Sequence, residues 1–294
     1  MRILLVGASG LIGSAVAARA GGVHEVRALV RRDPVDASEH RWDASARTAP
    51  AEPIAWADAV ISLSGASLSR LPWTARYRAE ILRSRVAATS AIARAIAGSE
   101  APPDAWVSAS AVGIYGDRPG EVVTEDAMPG TGFLADVVGA WESAADPARP
   151  RTRVVHARTG LVLASGGALT PLMLTTRLGL GATIGGGSQH WPWISLEDEA
   201  AALLHLATAS ALDGPVNLVG PAPATSRDIT RGLARVLHRP HLFRLPAFAL
   251  RAGMGIAADE LLLADQQAVP ERLIRDGFAF RHATPDAALR ALVR

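Results

Sequence analysis

The sequence contains no cysteine, and it contains no lysine either. Without cysteine, the chain forms no disulfide bond, carries no thiolate nucleophile and offers no cysteine ligand to a metal. All 30 residues counted as lysine or arginine are therefore arginines, and they nearly balance 28 acids to leave a formal net charge of +2. A reaction that needs a lysine amine is excluded from the outset.

Other absences narrow the choice of partners. No polybasic run and no interleaving of basic and aromatic residues occurs, which argues against a nucleic-acid partner. The most apolar helical stretch, residues 201–212, is interrupted by His205 and is too short to span a bilayer, so no membrane partner is predicted. The apolar run at residues 3–6 is too short for a signal peptide, and a cytoplasmic location is expected. The histidines show no metal-ligand spacing, so no metal is predicted.

Strand-like and helix-like segments alternate along most of the chain. This alternation is typical of a parallel sheet with helical crossovers. The predicted strands cover residues 2–6, 24–30, 57–65, 105–112, 152–163 and 214–220. The predicted helices cover residues 11–20, 73–96 and 132–145. We therefore predict an α/β fold, a Rossmann-type doubly wound parallel sheet with a smaller, mostly helical C-terminal substrate lobe.

The first predicted strand runs directly into a glycine-rich turn that opens a helix. The turn has the pattern G-x-x-G-x-x-G, whose glycines permit a tight bend, admit a pyrophosphate and let the helix pack closely on the strand. The helix N-terminus supplies N–H donors and positive potential to the phosphates. The predicted dinucleotide-binding residues here are Gly7, Ser9, Gly10, Leu11, Ile12 and Gly13. The alternative is a structural strand–helix turn that binds no ligand.

The end of the second predicted strand indicates which dinucleotide is bound. An NAD site usually places an acid there for the ribose 2′-hydroxyl, but this strand ends in Arg31 and Arg32. Two guanidinium groups suit a 2′-phosphate, because they form charge-assisted and bidentate hydrogen bonds. We therefore predict NADP(H) as the cofactor. Asp33 follows directly, and an exposed arginine pair without a ligand is the alternative.

The composition changes beyond residue 164. Glycine, proline and tryptophan become frequent between residues 164 and 195, as in loops and short helices. We predict an NADP-binding Rossmann domain over residues 1–240, within which the segment 164–195 contributes to the substrate lobe. Residues 241–294 are predicted to form the C-terminal lobe. The substrate lobe should lie over the carboxyl ends of the strands, where such sheets bind their ligands.

Several stretches resemble a known family. Residues 7–13, the loop ISLSGASL at 61–68 and SASAVGIYG at 108–116 resemble the extended short-chain dehydrogenase/reductase superfamily. Four longer stretches point to one branch of this superfamily: residues 72–89, 133–145, 179–203 and 245–292. Together these stretches are similar to the atypical "epimerase family protein" branch of epimerase/dehydratase-like proteins, which has its own C-terminal domain of unknown function. This resemblance runs essentially end to end, and it implies an NADP-binding Rossmann protein without a well-established substrate.

The resemblance also implies further cofactor contacts. They fall at a central strand exit, on the helix that follows it and at a later strand exit: Leu63, Ser64, Gly65, Glu80, Arg85 and Leu161. Glu80 and Arg85 are five residues apart on one predicted helix, and we expect a salt bridge between them to steer Arg85 inward. The alternative is a solvated helix pair.

The superfamily's usual catalytic pair is absent. The resemblance implies that the helix over residues 132–145 should carry Tyr-x-x-x-Lys, and it places Leu134 and Val138 at those two positions. Candidate substitutes are Ser110, to hydrogen-bond a substrate carbonyl, with Tyr115 or His190 as proton donor. The alternative is that Tyr115 anchors a loop and Ser110 bonds the backbone.

A glycine-rich stretch followed by two tryptophans, Trp191 and Trp193, resembles a lid that would line a substrate pocket. The alternative is that the two tryptophans pack between the two lobes and line no pocket. Two functions remain open: an NADP(H)-dependent oxidoreductase or epimerase-like enzyme on an unknown small molecule, and a non-catalytic NADPH-binding sensor or regulatory protein. A homodimer is possible. Any turnover is expected to be reductive, because a tyrosine without its lysine partner is a poor base at neutral pH.

Overall fold

The structure, a computed structural model, describes residues 1–293. The strands are β1 (Arg2–Val6), β2 (Glu25–Val30), β3 (Glu39–Arg41), β4 (Ala59–Ser62), β5 (Ala105–Ala111), β6 (Val122–Val123), β7 (Arg153–Thr159), β8 (Leu161–Leu163), β9 (Gly181–Ile184), β10 (Trp193–Ser195), β11 (Gly214–Leu218), β12 (His241–Leu245) and β13 (Gln267–Ala268). The helices are α1 (Leu11–Ala20), α2 (Ala51–Trp56), α3 (Ala75–Ala97), α4 (Phe133–Ser143), α5 (Thr170–Arg177), α6 (Leu196–Thr208), α7 (Ser226–Val236), α8 (Ala247–Met254), α9 (Ile256–Ala258), α10 (Glu271–Arg275) and α11 (Pro285–Ala291). A π-helical turn, Asp259–Leu263, follows α9 directly.

Seven strands form the main sheet in the order β11-β7-β5-β4-β1-β2-β3. Each neighbouring pair is parallel, so every carboxyl end lies at the same edge. The strand order reverses between β1 and β4, and this reversal opens a crevice at that edge. The predicted Rossmann-type sheet is confirmed.

Helices cover both faces of this sheet, which is why its central strands are continuous apolar runs. On one face, α1 and α6 pack on side chains such as Ile3 and Val107. On the other face, α2 and α3 pack on the alternate set, which includes Leu4 and Trp106. The sheet is thereby a rigid platform, and its loops at the carboxyl edge carry the candidate site.

Beside the sheet lies a separate cluster of buried residues, called the second cluster below. It joins segments that are far apart in the chain. Strand β9 pairs in parallel with β12, and α7 packs against β9. Leu233 of α7 and Leu289 of α11 are fully buried in this cluster. The segment 164–195 is thus joined to residues beyond 240, and the domain boundary placed at 240 stays a prediction.

Within residues 1–293, no helix is both long and apolar enough to cross a membrane.

Candidate functional site

The glycine turn between β1 and α1 has no room for larger residues. Gly7 has φ of +91°, and a β-carbon there would lie 3.2 Å from the backbone carbon of Leu63. A β-carbon at Gly13 would overlap the carbonyl oxygen of Gly7 and approach the α-carbon of Ala8 to 2.9 Å. The turn therefore brings the start of α1, the end of β1 and the exit of β4 into direct contact.

The N-terminus of α1 is built to receive an anion. Its N-cap is Gly10, which has no side chain to accept from the first-turn N–H groups, and the first turn holds no acid. Ser9 and Leu11 are exposed beside it, and Ile12 is partly buried. Unsatisfied N–H donors and the positive end of the helix dipole thus face the crevice, an arrangement that fits the pyrophosphate of a dinucleotide.

A buried guanidinium lies next to this turn. Arg85 of α3 donates to the carbonyl oxygens of Ala66 and Ile81, each at 3.1 Å, and lies 5.1 Å from the centroid of the Trp141 ring. Burial lowers its pKa to about 10, so it remains a cation at neutral pH. Among the described residues no carboxylate pairs with it. Its charge is left for an anionic ligand at the exit of β4.

The residues after β4 line the space beside Arg85. Leu63 and Ser64 are partly buried, and Gly65 is exposed. A β-carbon at Gly65 would lie 3.2 Å from the guanidinium carbon of Arg85, so glycine leaves this cation accessible. The predicted contacts at Leu63, Ser64 and Gly65 therefore share one wall with Arg85 and the glycine turn.

The expected salt bridge between Glu80 and Arg85 is not formed. Glu80 pairs with Arg83 instead, and the inward direction of Arg85 comes from the two carbonyl oxygens described above. Five residues of α-helix correspond to a rotation of about 140° beyond a full turn, so residues i and i+5 point to different faces. Glu80 lies at the partly exposed edge of α3.

Arg31 and Arg32, the predicted arginine pair, have different surroundings. Arg32 makes two hydrogen bonds of 2.6 Å to the carboxylate of Glu39. The neighbouring acid Asp33 pairs with Arg41 at 2.6 Å. Arg31 is exposed and has no carboxylate partner within residues 1–293. Of the two, Arg31 is the cation immediately available to a 2′-phosphate.

The later strand exit is also tightly packed. The predicted strand over 152–163 is divided at Gly160 into β7 and β8. Only glycine fits at this position, because a β-carbon would overlap the carbonyl oxygen of Pro192. That oxygen accepts from the N–H of Leu161 at 2.6 Å. Leu161 is partly buried at the carboxyl edge, and the segment 190–192 lies against it.

A buried carboxyl group lies beneath this exit. Glu199 of α6 is fully buried and accepts a hydrogen bond of 2.8 Å from the hydroxyl of Thr159, the last residue of β7. Its other oxygen has no partner among the described residues. Burial raises the pKa of Glu199 to about 8, so the group is protonated and neutral at pH 7.

Tyr115 is placed differently from the expectation of a proton donor at the pocket. Its side chain is fully buried, and its hydroxyl donates to Asn217 at 2.7 Å while accepting from Arg158 at 3.1 Å. Burial raises its pKa, which keeps the phenol neutral. The first residues after β5 turn inward as a short 3₁₀ helix, and Tyr115 anchors that turn in the core.

Ser110 is held by the same buried network. Its hydroxyl donates to Glu142 at 2.6 Å, and Glu142 also accepts two hydrogen bonds of 2.9 Å from Arg158. Burial alone would raise the pKa of Glu142, but the hydrogen bonds and charge of Arg158 hold it below its usual value. The single hydroxyl proton of Ser110 is therefore directed to a carboxylate and not to the crevice.

His190 is the predicted catalytic residue that remains partly exposed. Its Nδ1 lies 2.9 Å from Asp265, whose carboxylate also accepts the backbone N–H of His190 at 2.8 Å. This carboxylate holds the ring with Nδ1 as the donor and leaves Nε2 available. Asp265 lies between Ala264 and Gln266, both of which line a small cavity.

That cavity lies at the start of α4, where the superfamily's tyrosine would project. It encloses about 90 Å³ between the first turn of α4 and the π-helical turn. Gly113, Leu134 and Glu260 are among its lining residues. Leu134 and Val138, at the positions of the superfamily's Tyr and Lys, are apolar and buried, and the carboxylate of Glu142 on the same helix is paired with Arg158. The cavity is therefore lined jointly by α4 and by the C-terminal part of the chain.

The two tryptophans predicted to line a substrate pocket are instead core residues. Trp191 and Trp193 are almost fully buried in the cluster beside the sheet. Their indole N–H groups donate to the carbonyl oxygens of Leu262 and Ala222, at 3.0 and 2.8 Å. They pack the segment 190–195 onto neighbouring elements, which was the alternative to a lid.

Glu199, Glu260 and Arg158 were not predicted from the sequence. A charged residue inside an apolar helical or strand pattern was the available signal for Arg158 and Glu199. Glu260 gave no local signal, because its partner lies 126 residues away. No group of three or more His, Asp or Glu side chains in the described part of the chain could hold a metal ion.

The NAD dependent epimerase/dehydratase family matches residues 3–220, and the Domain of unknown function (DUF1731) matches residues 245–292. An epimerase family protein of Mycobacterium leprae is 42% identical over 98% of this chain and 94% of its own length. The crystal structure of the human epimerase family protein SDR39U1 with NADPH has a TM-score of 0.90 and 31% identity, covering 99% of each chain. A nucleoside-diphosphate sugar epimerase from Corynebacterium glutamicum has a TM-score of 0.82 and 30% identity, over 100% of this chain and 58% of that one.

Proposed function

Because the chain belongs to the NAD dependent epimerase/dehydratase family, in the extended short-chain dehydrogenase/reductase branch with a C-terminal domain of unknown function, we propose that it is an NADP(H)-dependent reductase or epimerase-like enzyme. Its substrate is a small molecule bound at the cavity beside α4. One observation carries the proposal: an uncapped helix N-terminus and a buried, carboxylate-free arginine face the same crevice.

The residues present fit NADP(H). The N-terminus of α1 would hold the pyrophosphate, Arg85 would face the nucleotide along the exit of β4, and Arg31 would bind the 2′-phosphate. Leu161 would contact the cofactor at the exit of β7. The human relative with a TM-score of 0.90 was crystallised with NADPH, which supports the same cofactor here.

When bound in this crevice, NADPH supplies the hydride that reduces a carbonyl carbon. His190 would deliver the matching proton to the carbonyl oxygen from Nε2, since Asp265 already engages its Nδ1. A replacement proton would reach Nε2 from solvent, because the His190 side chain is 26% exposed. Reduction therefore needs no lysine.

The experiment combines binding with turnover. NADPH affinity is measured by the change in its fluorescence, and NADPH oxidation is followed with a panel of small aldehydes and ketones. We expect His190→Ala to lower turnover at least tenfold, equivalent to about 1.4 kcal/mol of barrier, with NADPH affinity unchanged. Asp265→Asn should lower turnover and shift its pH profile. His238→Ala, at an exposed histidine, is the matched control.

The buried network around Arg158, which holds Ser110 and Tyr115, favours a second function, that of an NADPH sensor. The hydroxyl protons of Ser110 and Tyr115 both point to protein acceptors, so the crevice has fewer donors than an ordinary reductase site. Such a protein could bind NADPH and signal its level without turnover. Tight NADPH binding together with no oxidation across the panel would support this sensor and contradict the enzyme. Equal affinity for NADH and NADPH would contradict both.

A further inference from the structure

Large apolar side chains are exposed to water on and around strand β12, beside the second cluster. Leu242 of β12 is 80% exposed, Phe248 of α8 is 74% exposed and Leu178 after α5 is 69% exposed. Leu180, Phe243 and Leu245 are also exposed nearby. Isolated apolar residues on a surface are ordinary, but six within three neighbouring segments are not. We refer to these six residues, together with Arg177, Arg239 and Arg244, as the β12 face.

The backbone contacts place these segments side by side. Strand β12 pairs with β9, with His241 opposite Gly181 and Leu245 opposite Ile184. Leu178 and Leu180 lie immediately before β9. The side chain of Arg239 donates to the carbonyl oxygen of Arg177 at 2.9 Å, which joins the end of α5 to the start of β12. Helix α8 begins two residues after β12 ends.

The charged residues of the β12 face are all arginines, so its charge is positive. The thirty residues between Asp228 and Asp259 contain five arginines and no acid. Two of these arginines are paired, Arg235 with Asp286 and Arg251 with Asp259. Arg177, Arg239 and Arg244 have no carboxylate partner among the described residues, and Arg244 is tied instead to the carbonyl oxygen of Gly185 at 2.9 Å. The arginines therefore carry uncompensated charge beside the exposed apolar groups.

We propose that the β12 face docks on the surface of an anionic lipid bilayer. The arginines would contact lipid phosphates, and the leucine and phenylalanine side chains would enter the boundary between headgroups and acyl chains. The pattern fits a lipid surface because the apolar residues project as separate, highly exposed side chains. A second copy of the chain would bring the same arginines against one another, which disfavours a symmetric dimer through this face. Such docking needs no spanning segment, and the sequence predicted none.

The test is co-sedimentation of the full-length protein with vesicles. One set contains phosphatidylcholine alone, and the other contains phosphatidylcholine and phosphatidylglycerol in equal amounts. We expect sedimentation with the anionic vesicles only, weakening as salt is raised. The double change Phe243→Ser and Phe248→Ser should lower partitioning at least tenfold. The double change Arg239→Gln and Arg244→Gln should weaken it and reduce its dependence on salt. Val23→Ser, at an exposed valine distant in the chain, is the matched control.

Circular dichroism and NADPH affinity show that each variant is folded. Absence of sedimentation with anionic vesicles at low salt would overturn the proposal, and so would binding that the phenylalanine changes leave intact. A dimer in sedimentation velocity that these changes convert to monomer, without vesicle binding, would assign the face to a homodimer. Binding to an immobilised acidic polypeptide, but not to vesicles, would assign it to an acidic protein partner and equally overturn lipid docking.

Discussion

The carboxylate of Glu260 caps helix α4 from the π-helical turn, accepting the backbone N–H of Phe133 at 2.8 Å. Its second oxygen accepts the next N–H along the helix at 3.0 Å. The residue before the helix, Gly132, cannot cap it, and a β-carbon there would lie 2.9 Å from Glu260. The start of α4 and the cavity beside it therefore depend on a residue from the C-terminal part of the chain.

Glu260→Ala should destabilise the protein by about 0.5–2 kcal/mol, the range measured for loss of a helix cap. Glu260→Gln should cost less, because its amide oxygen can still accept one N–H. Urea unfolding gives both values. Glu271→Gln, at an acid that pairs with Arg275 on α10, is the control. Equal unfolding free energies for the Ala variant and the unaltered protein would show that the cap is not stabilising.

Arg31 should contribute more than Arg32 to the preference for NADPH over NADH. Arg31→Ala should lower this preference about tenfold, in line with one or two charge-assisted hydrogen bonds to an exposed phosphate. Arg32→Ala should have a smaller effect, since Arg32 must first leave Glu39. Glu39→Gln should raise the preference by releasing Arg32. Isothermal titration with both cofactors measures these ratios, and a larger loss from Arg32→Ala would reverse the assignment.

Arg85→Met should separate cofactor affinity from stability. Affinity for NADPH should fall at least tenfold, because the crevice loses its buried cation. The unfolding free energy should change by less than about 1 kcal/mol, since an apolar side chain of similar length avoids the cost of burying an unpaired charge. Arg83→Met, at an exposed arginine of the same helix, should change neither quantity. Unchanged affinity in Arg85→Met would remove Arg85 from the cofactor site.

Glu199 should make stability depend on pH. Its pKa is about 8 in the folded protein and near 4.3 when unfolded, so the folded state binds its proton more tightly. The stabilisation is present at low pH and is lost as pH rises towards 8. Between about pH 5 and 8, the unaltered protein should lose roughly 1.4 kcal/mol per pH unit relative to Glu199→Gln. Denaturant unfolding across this range measures the difference.

The control for that measurement is Glu197→Gln, at a more exposed acid in the first turn of the same helix. A difference between Glu199→Gln and the unaltered protein that stays constant with pH would show that Glu199 is already ionised at pH 5. It would also imply that the orphan oxygen of Glu199 has found a hydrogen-bond partner in solution.

Local sequence patterns were sufficient to predict the fold and the glycine turn at which the cofactor site begins. The glycine turn, β1 and α1 are contiguous, and each needs only its own residues to be recognised. The helix predicted over 73–96 is observed as α3, because its amphipathic pattern reports directly on burial. The positions of Arg31 and Leu63 follow from strand ends, which a parallel sheet brings to one edge.

The residues whose environment depends on distant partners could not be predicted. Tyr115 was predicted to donate a proton and Trp193 to line a substrate pocket, yet both side chains are buried. Their partners, Asn217 and Ala222, lie 102 and 29 residues away. The direction of Arg85 was anticipated but for the wrong reason, since helix geometry does not place residue i+5 beside residue i.

The capping of α4 by Glu260 has a consequence for folding during synthesis. Strand β6 pairs with β13, and Glu125 accepts the backbone N–H of Arg272 at 3.3 Å. These contacts remain open while the ribosome still covers the last part of the chain. The Rossmann portion would therefore leave the exit tunnel with an uncapped helix and an unpaired strand, and it would complete its packing only once residues 260–272 have also emerged.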